Sequence, residues 1–186
     1  TEDVKNIKNL GFNIISLEPV VTDEKNYYSI KEEDVEEVKK EYDKLCSYFI
    51  DKKRNNDEFS FFHFEIDLDG GPCIYKKISG CGAGNEYVAV TPSGDIYPCH
   101  QFVGKEEFII GNVDEGIKEK SIPNEMYNSN ITTKEKCKNC WAKYFCGGGC
   151  HANAYNFNNT FLEPYEVGCE LEKKRIECAI RIKSEE

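Results

Sequence analysis

The distribution of cysteine is the feature that most restricts how this chain can fold. The sequence contains ten cysteines in 186 residues, and nine of them lie between Cys73 and Cys178. Beyond Lys136 the chain is rich in cysteine and glycine and shows little hydrophobic periodicity until a helix predicted over residues 170–183. Such a segment cannot order itself through apolar burial alone, so we expect bound metal to hold it together.

Charge and hydropathy exclude two classes of partner. The sequence has 24 basic and 34 acidic residues, a net charge of −10, and no basic run to neutralise a nucleic-acid backbone, so we expect no nucleic-acid partner. No apolar stretch approaches the roughly 18 residues of a membrane span, so we expect a soluble chain with no membrane partner. The first residues lack a secretory signal and an initiator Met, which predicts a cytoplasmic fragment or processed chain. Without an export signal, the cysteines favour metal or redox chemistry over disulfides.

The first part of the chain is predicted to be α/β. A short polar helix over residues 4–10 and a buried parallel strand within residues 11–21 precede a long helix, which starts with a capping box of Ser29 and Glu32. The apolar stripe of that helix comprises Val35, Val38, Tyr42, Leu45 and Phe49. Alternating apolar residues predict a second strand over residues 62–68. Three elements cannot close a barrel or a doubly wound sheet, so this region is predicted to be the tail of a larger α/β domain.

The second part is predicted to be loop-rich, with short strands. Residues 87–90 and 96–97 are predicted to form a pair of strands, joined by a turn with proline early and glycine late. A third short strand is predicted at residues 108–110. We therefore expect two domains, residues 1–75 and 76–186, and a mixed fold class that combines α/β and α+β organisation.

Seven cysteines lie at separations that are typical of a metal site. They are Cys81, Cys99, Cys137, Cys140, Cys146, Cys150 and Cys169. A gap of two residues, as between the third and the fourth of these, lets two thiolates face one cation. Three consecutive glycines, residues 147–149, let the main chain pack against a bulky group where side chains would clash.

Three kinds of cysteine site compete. Disulfides need an oxidising compartment, for which the sequence carries no signal. Structural zinc on four thiolates is an alternative, although zinc ribbons usually pair two gaps of two residues and the second gap here has three. Iron–sulfur clusters are also held by sets of four cysteines. Seven cysteines suit one complete site and one with three protein ligands, which favours iron–sulfur clusters.

The order of these cysteines, with Gly94 between the first two, resembles the SPASM domain of radical S-adenosylmethionine peptide maturases over about residues 78–180. The resemblance implies the C-terminal end of a partial (β/α) barrel, followed by a small loop-rich domain with two auxiliary [4Fe–4S] clusters. It implies that the first cluster is held by Cys81, Cys99 and Cys150. It implies that the second is held by Cys137, Cys140, Cys146 and Cys169.

Four stretches are most similar to the maturase of the SCIFF (six-cysteine) peptide, namely residues 16–21, 70–73, 80–84 and 97–104. This resemblance implies an enzyme that forms thioether crosslinks from cysteine thiols to carbons of a cysteine-rich ribosomal precursor peptide. We expect such a protein in the cytoplasm of an anaerobic bacterium.

The surroundings of the first cluster depart from a related activity, that of sulfatase-type maturases. Those relatives carry Asp after the second cysteine, where this chain has His100, and an additional ligand cysteine soon after the first, where it has residues 82–87. The resemblance therefore implies an open iron that can take a substrate thiolate, with Cys73 as the rival fourth ligand. His100 is a candidate catalytic residue that protonates or orients the substrate, or only makes a hydrogen bond near the cluster.

The motif that cleaves S-adenosylmethionine, Cys-x3-Cys-x2-Cys, is absent from this chain. Cys146 and Cys150 form its only Cys-x3-Cys pair, and Asn153 stands where the third cysteine would be. The resemblance implies that S-adenosylmethionine, a third [4Fe–4S] cluster and most of a barrel of about 200 residues or more lie in the remaining protein. This chain alone is predicted to be inactive. The competing hypotheses are a non-catalytic iron–sulfur or zinc module for peptide recognition or electron transfer, and another SPASM enzyme such as a sulfatase-type maturase.

The remaining cysteines and histidines have structural interpretations. Cys46 and Cys178 are predicted to be core thiols beside apolar helix positions. His63 is predicted to be a hydrogen-bonded histidine within a strand. His151 either donates to a cluster sulfur or begins a helical turn.

Overall fold

The computed structural model describes residues 1–68 and 78–185, so Cys73 and the predicted glycine-rich turn around it lie outside the described residues. The chain divides into two compact units. Residues 1–68 and 166–185 belong to the first unit, and residues 78–165 belong to the second. The units differ from the two predicted domain ranges in the last helix, which groups with the first unit because it packs on that unit's long helix.

Among the described residues, the helices in chain order are α1 (Glu2–Asn9), α2 (Val35–Arg54), α3 (Ser121–Asn128), α4 (Glu135–Lys138), α5 (Lys143–Cys146), α6 (His151–Asn158) and α7 (Glu166–Ser184). The strands are β1 (Ile14–Ile15), β2 (Ser60–Phe61), β3 (Ala89–Val90), β4 (Asp95–Tyr97), β5 (Gly111–Asn112) and β6 (Gly116–Ile117).

The first unit contains a parallel strand pair joined through α2. Ile14 pairs with Ser60, and Ile15 pairs with Phe61. Parallel neighbours need a crossover connection, and α2 supplies it. The predicted order of strand, helix and parallel strand is therefore confirmed.

The first predicted strand of this unit is too long, and the second, residues 62–68, is misplaced, because β2 ends at Phe61. Only two residues of the first are in β1, and Ile14 is 84% exposed, so the prediction of a buried strand over residues 11–21 is wrong outside Ile15. The chain after β2 turns into a 3-10 helix at Phe62–Phe64 rather than continuing as a strand. This turn buries Phe64 together with Phe61, which a continued strand would point to opposite faces.

The predicted capping box of Ser29 and Glu32 is also wrong. The Ser29 hydroxyl donates to the backbone oxygen of Glu24 at 3.4 Å. A 3-10 turn precedes α2, and the backbone N–H of Lys31 donates to the Asp34 carboxylate at 3.0 Å. The acidic side chain that closes the turn therefore lies two residues later than predicted.

Helix α2 packs on α7 through its apolar face. Val35, Tyr42 and Leu45 are buried, as the predicted stripe requires. Cys46 is wholly buried and Cys178 is 2% exposed, and the Cys46 thiol lies 3.6 Å from the backbone oxygen of Cys178. The prediction that these two cysteines are core thiols is confirmed.

The second unit begins with an antiparallel sheet in the order β3, β4, β5, β6. Ala89 pairs with Tyr97, which confirms the predicted first strand pair. The third strand begins at Gly111 rather than at residue 108, because a 3-10 turn ends at Phe108. Gly111 is required there, since a Cβ would lie 2.2 Å from the backbone oxygen of Gly116.

The core of the second unit is small and aromatic. The rings of Phe102 and Phe108 stack with centroids 4.0 Å apart, and Tyr155 and Phe161 pack around them. The segment that was predicted to be loop beyond residue 136 forms the short helices α4, α5 and α6. Helices of four to eight residues span too few turns to produce a visible hydrophobic period. No helix in the described part of the chain is long and apolar enough to span a membrane.

His63 is buried in the first unit beside the charged side chains of Arg175 and Glu18, on the 3-10 turn and not within a strand as predicted. Its Nδ1 atom is 2.8 Å from Nη1 of Arg175, and its Nε2 atom is 3.2 Å from a carboxylate oxygen of Glu18. Burial lowers the pKa of His63, the Arg175 guanidinium lowers it further, and the Glu18 carboxylate opposes both effects. Glu18 and His63 both follow the carboxyl ends of the paired strands.

We expect the first unit to lose stability as the pH falls below about 6.5, the ordinary pKa of histidine. The unfolded chain then binds a proton that the buried imidazole resists. In an NMR titration of the three histidines, Arg175→Gln should raise the midpoint of His63 and Glu18→Gln should lower it. A midpoint that neither substitution moves would contradict the cluster.

Candidate metal centre

Three predicted ligands of the first cluster lie in the second unit, and one of them contacts Tyr87. Cys81 is exposed, Cys99 follows β4, and Cys150 directly precedes α6. The Tyr87 hydroxyl lies 3.4 Å from the Cys81 sulfur. Burial, the hydrogen bond to Cys81 and the charges of Cys99 and Cys150 raise the pKa of Tyr87. Thiols from three separate segments therefore lie within electrostatic reach of one phenol.

Hydrogen-bond donors accompany two of these thiols. Burial raises the pKa of the Cys99 thiol, and the backbone N–H groups of Gln101 and Phe102 act in the opposite direction. The Gln101 side-chain amide lies 3.5 Å from the Cys150 sulfur. Such donors stabilise a sulfur that carries negative charge, as a metal-bound thiolate does.

The glycine loop before Cys150 has the conformation that the sequence predicted for close packing. Gly147, Gly148 and Gly149 have φ angles of 73°, 96° and 74°. These values lie in the left-handed region, where a Cβ is strained. A Cβ on Gly148 would also lie 3.3 Å from the Ile131 side chain. The wholly buried Lys134 donates from Nζ to the Gly148 backbone oxygen at 2.8 Å.

The second cysteine group lies on α4, α5 and the turn between them. Cys137 is buried, and the backbone N–H of Cys140 donates to its carbonyl oxygen at 3.1 Å. Burial raises the pKa of the Cys137 thiol, Cys140 raises it further, and the Lys134 ammonium lowers it. Cys146 ends α5. Cys169 lies on α7 in the other compact unit, so its assignment as the fourth ligand stays a prediction from the resemblance.

The two histidines near these cysteines have different environments. His100 is exposed on the 3-10 turn that follows Cys99, and its catalytic role stays a prediction. His151 begins α6 and is buried, with Nε2 3.4 Å from the backbone oxygen of Ser79. Burial lowers the pKa of His151 to about 4. The position of His151 agrees with the predicted helix start.

The donor set suits metal–sulfur chemistry. Within residues 1–68 and 78–185, no three His, Cys, Asp or Glu side chains are grouped closely enough to ligate a single metal ion. Thiolates on one zinc lie about 2.3 Å from it, whereas those on a [4Fe–4S] cluster bind different irons and stand further apart. Groups made up of thiols alone, with amide donors and a glycine loop beside them, fit an iron–sulfur cluster.

Comparison with known proteins supports this interpretation for part of the chain. Residues 81–141 match the family model of SPASM, an iron–sulfur cluster-binding domain. The chain is 35% identical over 104 residues to an uncharacterized protein of Archaeoglobus fulgidus, which covers 52% of this chain and 24% of that protein. It is 28% identical over 128 residues to mycofactocin maturase MftC of Mycolicibacterium smegmatis, which covers 63% of this chain and 32% of that protein. The chain thus matches about a quarter to a third of the length of these relatives.

The fold is similar to solved structures of anSMEcpe. Native anSMEcpe with bound AdoMet and Kp18Cys peptide matches 97% of this chain and 52% of that chain, with a TM-score of 0.68 and 22% identity. Native anSMEcpe with bound AdoMet matches 97% and 51%, with a TM-score of 0.69 and 21% identity. This chain therefore has the fold of about half of those structures. The predicted resemblance to SPASM-domain maturases is supported at the level of domain and fold.

The structure adds three residues that the sequence did not single out. Tyr87 lies within residues 82–87, which the sequence marked only as lacking the additional ligand cysteine of sulfatase-type maturases. Gln101 and Lys134 lie two residues after Cys99 and three before Cys137. Each is close in sequence to a predicted ligand, which is the one signal that could have marked them.

We expect Gly148→Ala to lower the free energy of unfolding more than Gly104→Ala does. Both glycines have positive φ, 96° and 89°, so each substitution costs about 1–2 kcal/mol of backbone strain. Only Gly148 adds a close contact, since nothing lies within 4 Å of a Cβ on Gly104. Chemical denaturation measures both losses, and equal losses would contradict a tightly packed glycine loop.

Proposed function

We propose that this chain is the auxiliary-cluster part of a radical S-adenosylmethionine maturase that forms cysteine-to-carbon thioether crosslinks in a ribosomal precursor peptide. The observation that carries the proposal is the contact of the Tyr87 hydroxyl with the Cys81 sulfur, with Cys99 and Cys150 within electrostatic reach of the same phenol. Cys81 and Cys99 lie in residues 81–141, which match the SPASM family model. The relative MftC is a maturase, and the similar anSMEcpe structure holds AdoMet and a peptide. Both support a peptide substrate for the intact protein.

These three thiols would hold the first auxiliary [4Fe–4S] cluster. When bound, this cluster would supply an iron for a peptide thiolate and a one-electron acceptor. Cys81, Cys99 and Cys150 would ligate this cluster. The amide groups of Gln101 and Phe102 would stabilise the ligand sulfurs. Cys73 is the alternative fourth ligand in place of the peptide thiolate.

His100 is the proposed proton-handling residue. It is exposed on the turn directly after Cys99, where an approaching peptide can reach it. An imidazole there can take the proton of an incoming thiol or orient the peptide by a hydrogen bond.

The second cluster is assigned to Cys137, Cys140, Cys146 and Cys169. The burial of Cys137 and its nearness to Cys140 and Lys134 support a site that holds sulfur away from water. We assign it the role of electron outlet or structural support. S-adenosylmethionine and the third cluster would be held by the remaining barrel of the intact protein.

A non-catalytic module is the second candidate. The observation that favours it is that the matched family model describes an iron–sulfur cluster-binding domain and no reaction. In that case the cysteines bind clusters or zinc only to recognise a peptide or to conduct electrons.

Metal analysis of anaerobically purified chain separates iron from zinc. We expect about eight irons and eight acid-labile sulfides per chain, because two [4Fe–4S] clusters contain that number. Cys81→Ala should lose about half of the iron, whereas Cys46→Ala and Cys178→Ala should keep all of it, because those thiols lie in the helical core. One or two zincs without sulfide would contradict the enzymatic proposal.

The identity of the fourth ligand is tested by Cys73→Ala. We expect the variant to keep the first cluster and its electron paramagnetic resonance response to added thiol, because the peptide thiolate and not Cys73 is the proposed fourth ligand. Loss of that cluster, or of a site-differentiated spectrum, would show that the position is not open. Cys178→Ala serves as the matched control.

A further inference from the structure

The loop between Cys81 and Tyr87 is closed by its own backbone. The N–H groups of Asn85 and Glu86 donate to the carbonyl oxygen of Gly82 at 3.0 and 2.7 Å, and the N–H of Gly84 donates to the carbonyl oxygen of Tyr87 at 2.9 Å. These bonds return the chain on itself within six residues. The Tyr87 ring is therefore brought back beside Cys81 by the loop.

The same loop is anchored near the second thiol. The Asn85 side chain donates to the backbone oxygen of Pro123 at 2.9 Å. A Cβ on Gly84 would lie 3.2 Å from the side chain of Pro98, the residue before Cys99. The position of Tyr87 relative to Cys81 and Cys99 is thus set by packing and by backbone bonds, and not by the side chain of Tyr87 alone.

The Tyr87 hydroxyl contacts the Cys81 thiol while part of the residue faces solvent. The oxygen lies 3.4 Å from the Cys81 sulfur, and the residue is 42% exposed. A metal-bound thiolate has no proton to give, so in a loaded site the phenol must be the donor of this hydrogen bond. Gln101 supplies the corresponding donor to Cys150.

We propose that Tyr87 stands at the fourth position of the three-cysteine site, as a positioning residue that donates a hydrogen bond to the Cys81 thiolate and limits access by an incoming thiolate. This inference rests on the proposed function and adds the residue that controls the open position. Hydrogen bonds to cluster sulfurs favour the more negative, reduced state and so raise the reduction potential. The hydrogen bond from Gln101 to the Cys150 sulfur would raise the reduction potential in the same way.

The first test is the reduction potential of the iron–sulfur-loaded chain. Tyr87→Phe should keep the iron content and lower the midpoint potential of the first cluster, and Gln101→Leu should lower it as well. Tyr127→Phe is the matched control, because Tyr127 is exposed at 56% on α3 of the same unit. A potential unchanged in Tyr87→Phe overturns the hydrogen-bond part of the proposal.

The second test places a thiol at the fourth position. Tyr87→Cys should close the site, so that added 2-mercaptoethanol no longer changes the electron paramagnetic resonance spectrum. The unmodified chain, Tyr87→Phe and the control Tyr127→Cys should still respond. If Tyr87→Cys responds as the unmodified chain does, Tyr87 does not stand at the fourth position.

These outcomes separate the inference from the function on which it rests. If the unmodified cluster ignores added thiol, the open site of the proposed function is wrong, while a lowered potential in Tyr87→Phe still supports the hydrogen bond. A chain that takes up only zinc overturns both. A responding cluster with an unaffected Tyr87→Cys variant overturns the position of Tyr87 alone.

Discussion

The burial of sulfur is the physical constraint on which the second unit depends. Cys99 and Cys137 are nearly enclosed, and burial in apolar surroundings disfavours the thiolate that a metal requires. The fold offsets this at each position with a different donor. Two backbone N–H groups act on Cys99, and the ammonium of Lys134 acts on Cys137. A bound metal would complete the compensation, because its charge holds the thiolate in its ionised form.

A hydrogen bond from a side chain to the backbone links the two cysteine groups of this unit. Lys134 lies three residues before Cys137, and its Nζ holds the carbonyl of Gly148, which lies two residues before Cys150. The left-handed glycine loop therefore has a fixed partner at its centre. This hydrogen bond connects the segment that carries Cys137 with the loop that precedes Cys150.

The parts of the fold that the sequence predicted well depend on local patterns. The apolar stripe of α2 and the turn between β3 and β4 follow from the spacing of residues that are near each other in the sequence. The cysteine spacing located the segment that matches the SPASM family model. The missed features depend on contacts that the hydrophobic pattern does not specify. The chain forms a 3-10 turn at Phe62–Phe64 because Phe61 and Phe64 are buried in the same core. In the turn before α2, the capping carboxylate is that of Asp34 and not that of Glu32. Tyr87 was marked only by its closeness to Cys81 in the sequence, because its role depends on a loop closure that carries no sequence periodicity.

The central claim is that Cys81, Cys99 and Cys150 bind one iron–sulfur cluster beside Tyr87. The most direct test is an anaerobic crystal structure of the loaded chain, with anomalous diffraction measured at the iron edge. We expect iron peaks within bonding distance of the three sulfurs and one iron without a protein thiolate on the side of Tyr87. A zinc peak at these cysteines, or iron bound elsewhere while the three thiols stay free, would contradict the claim.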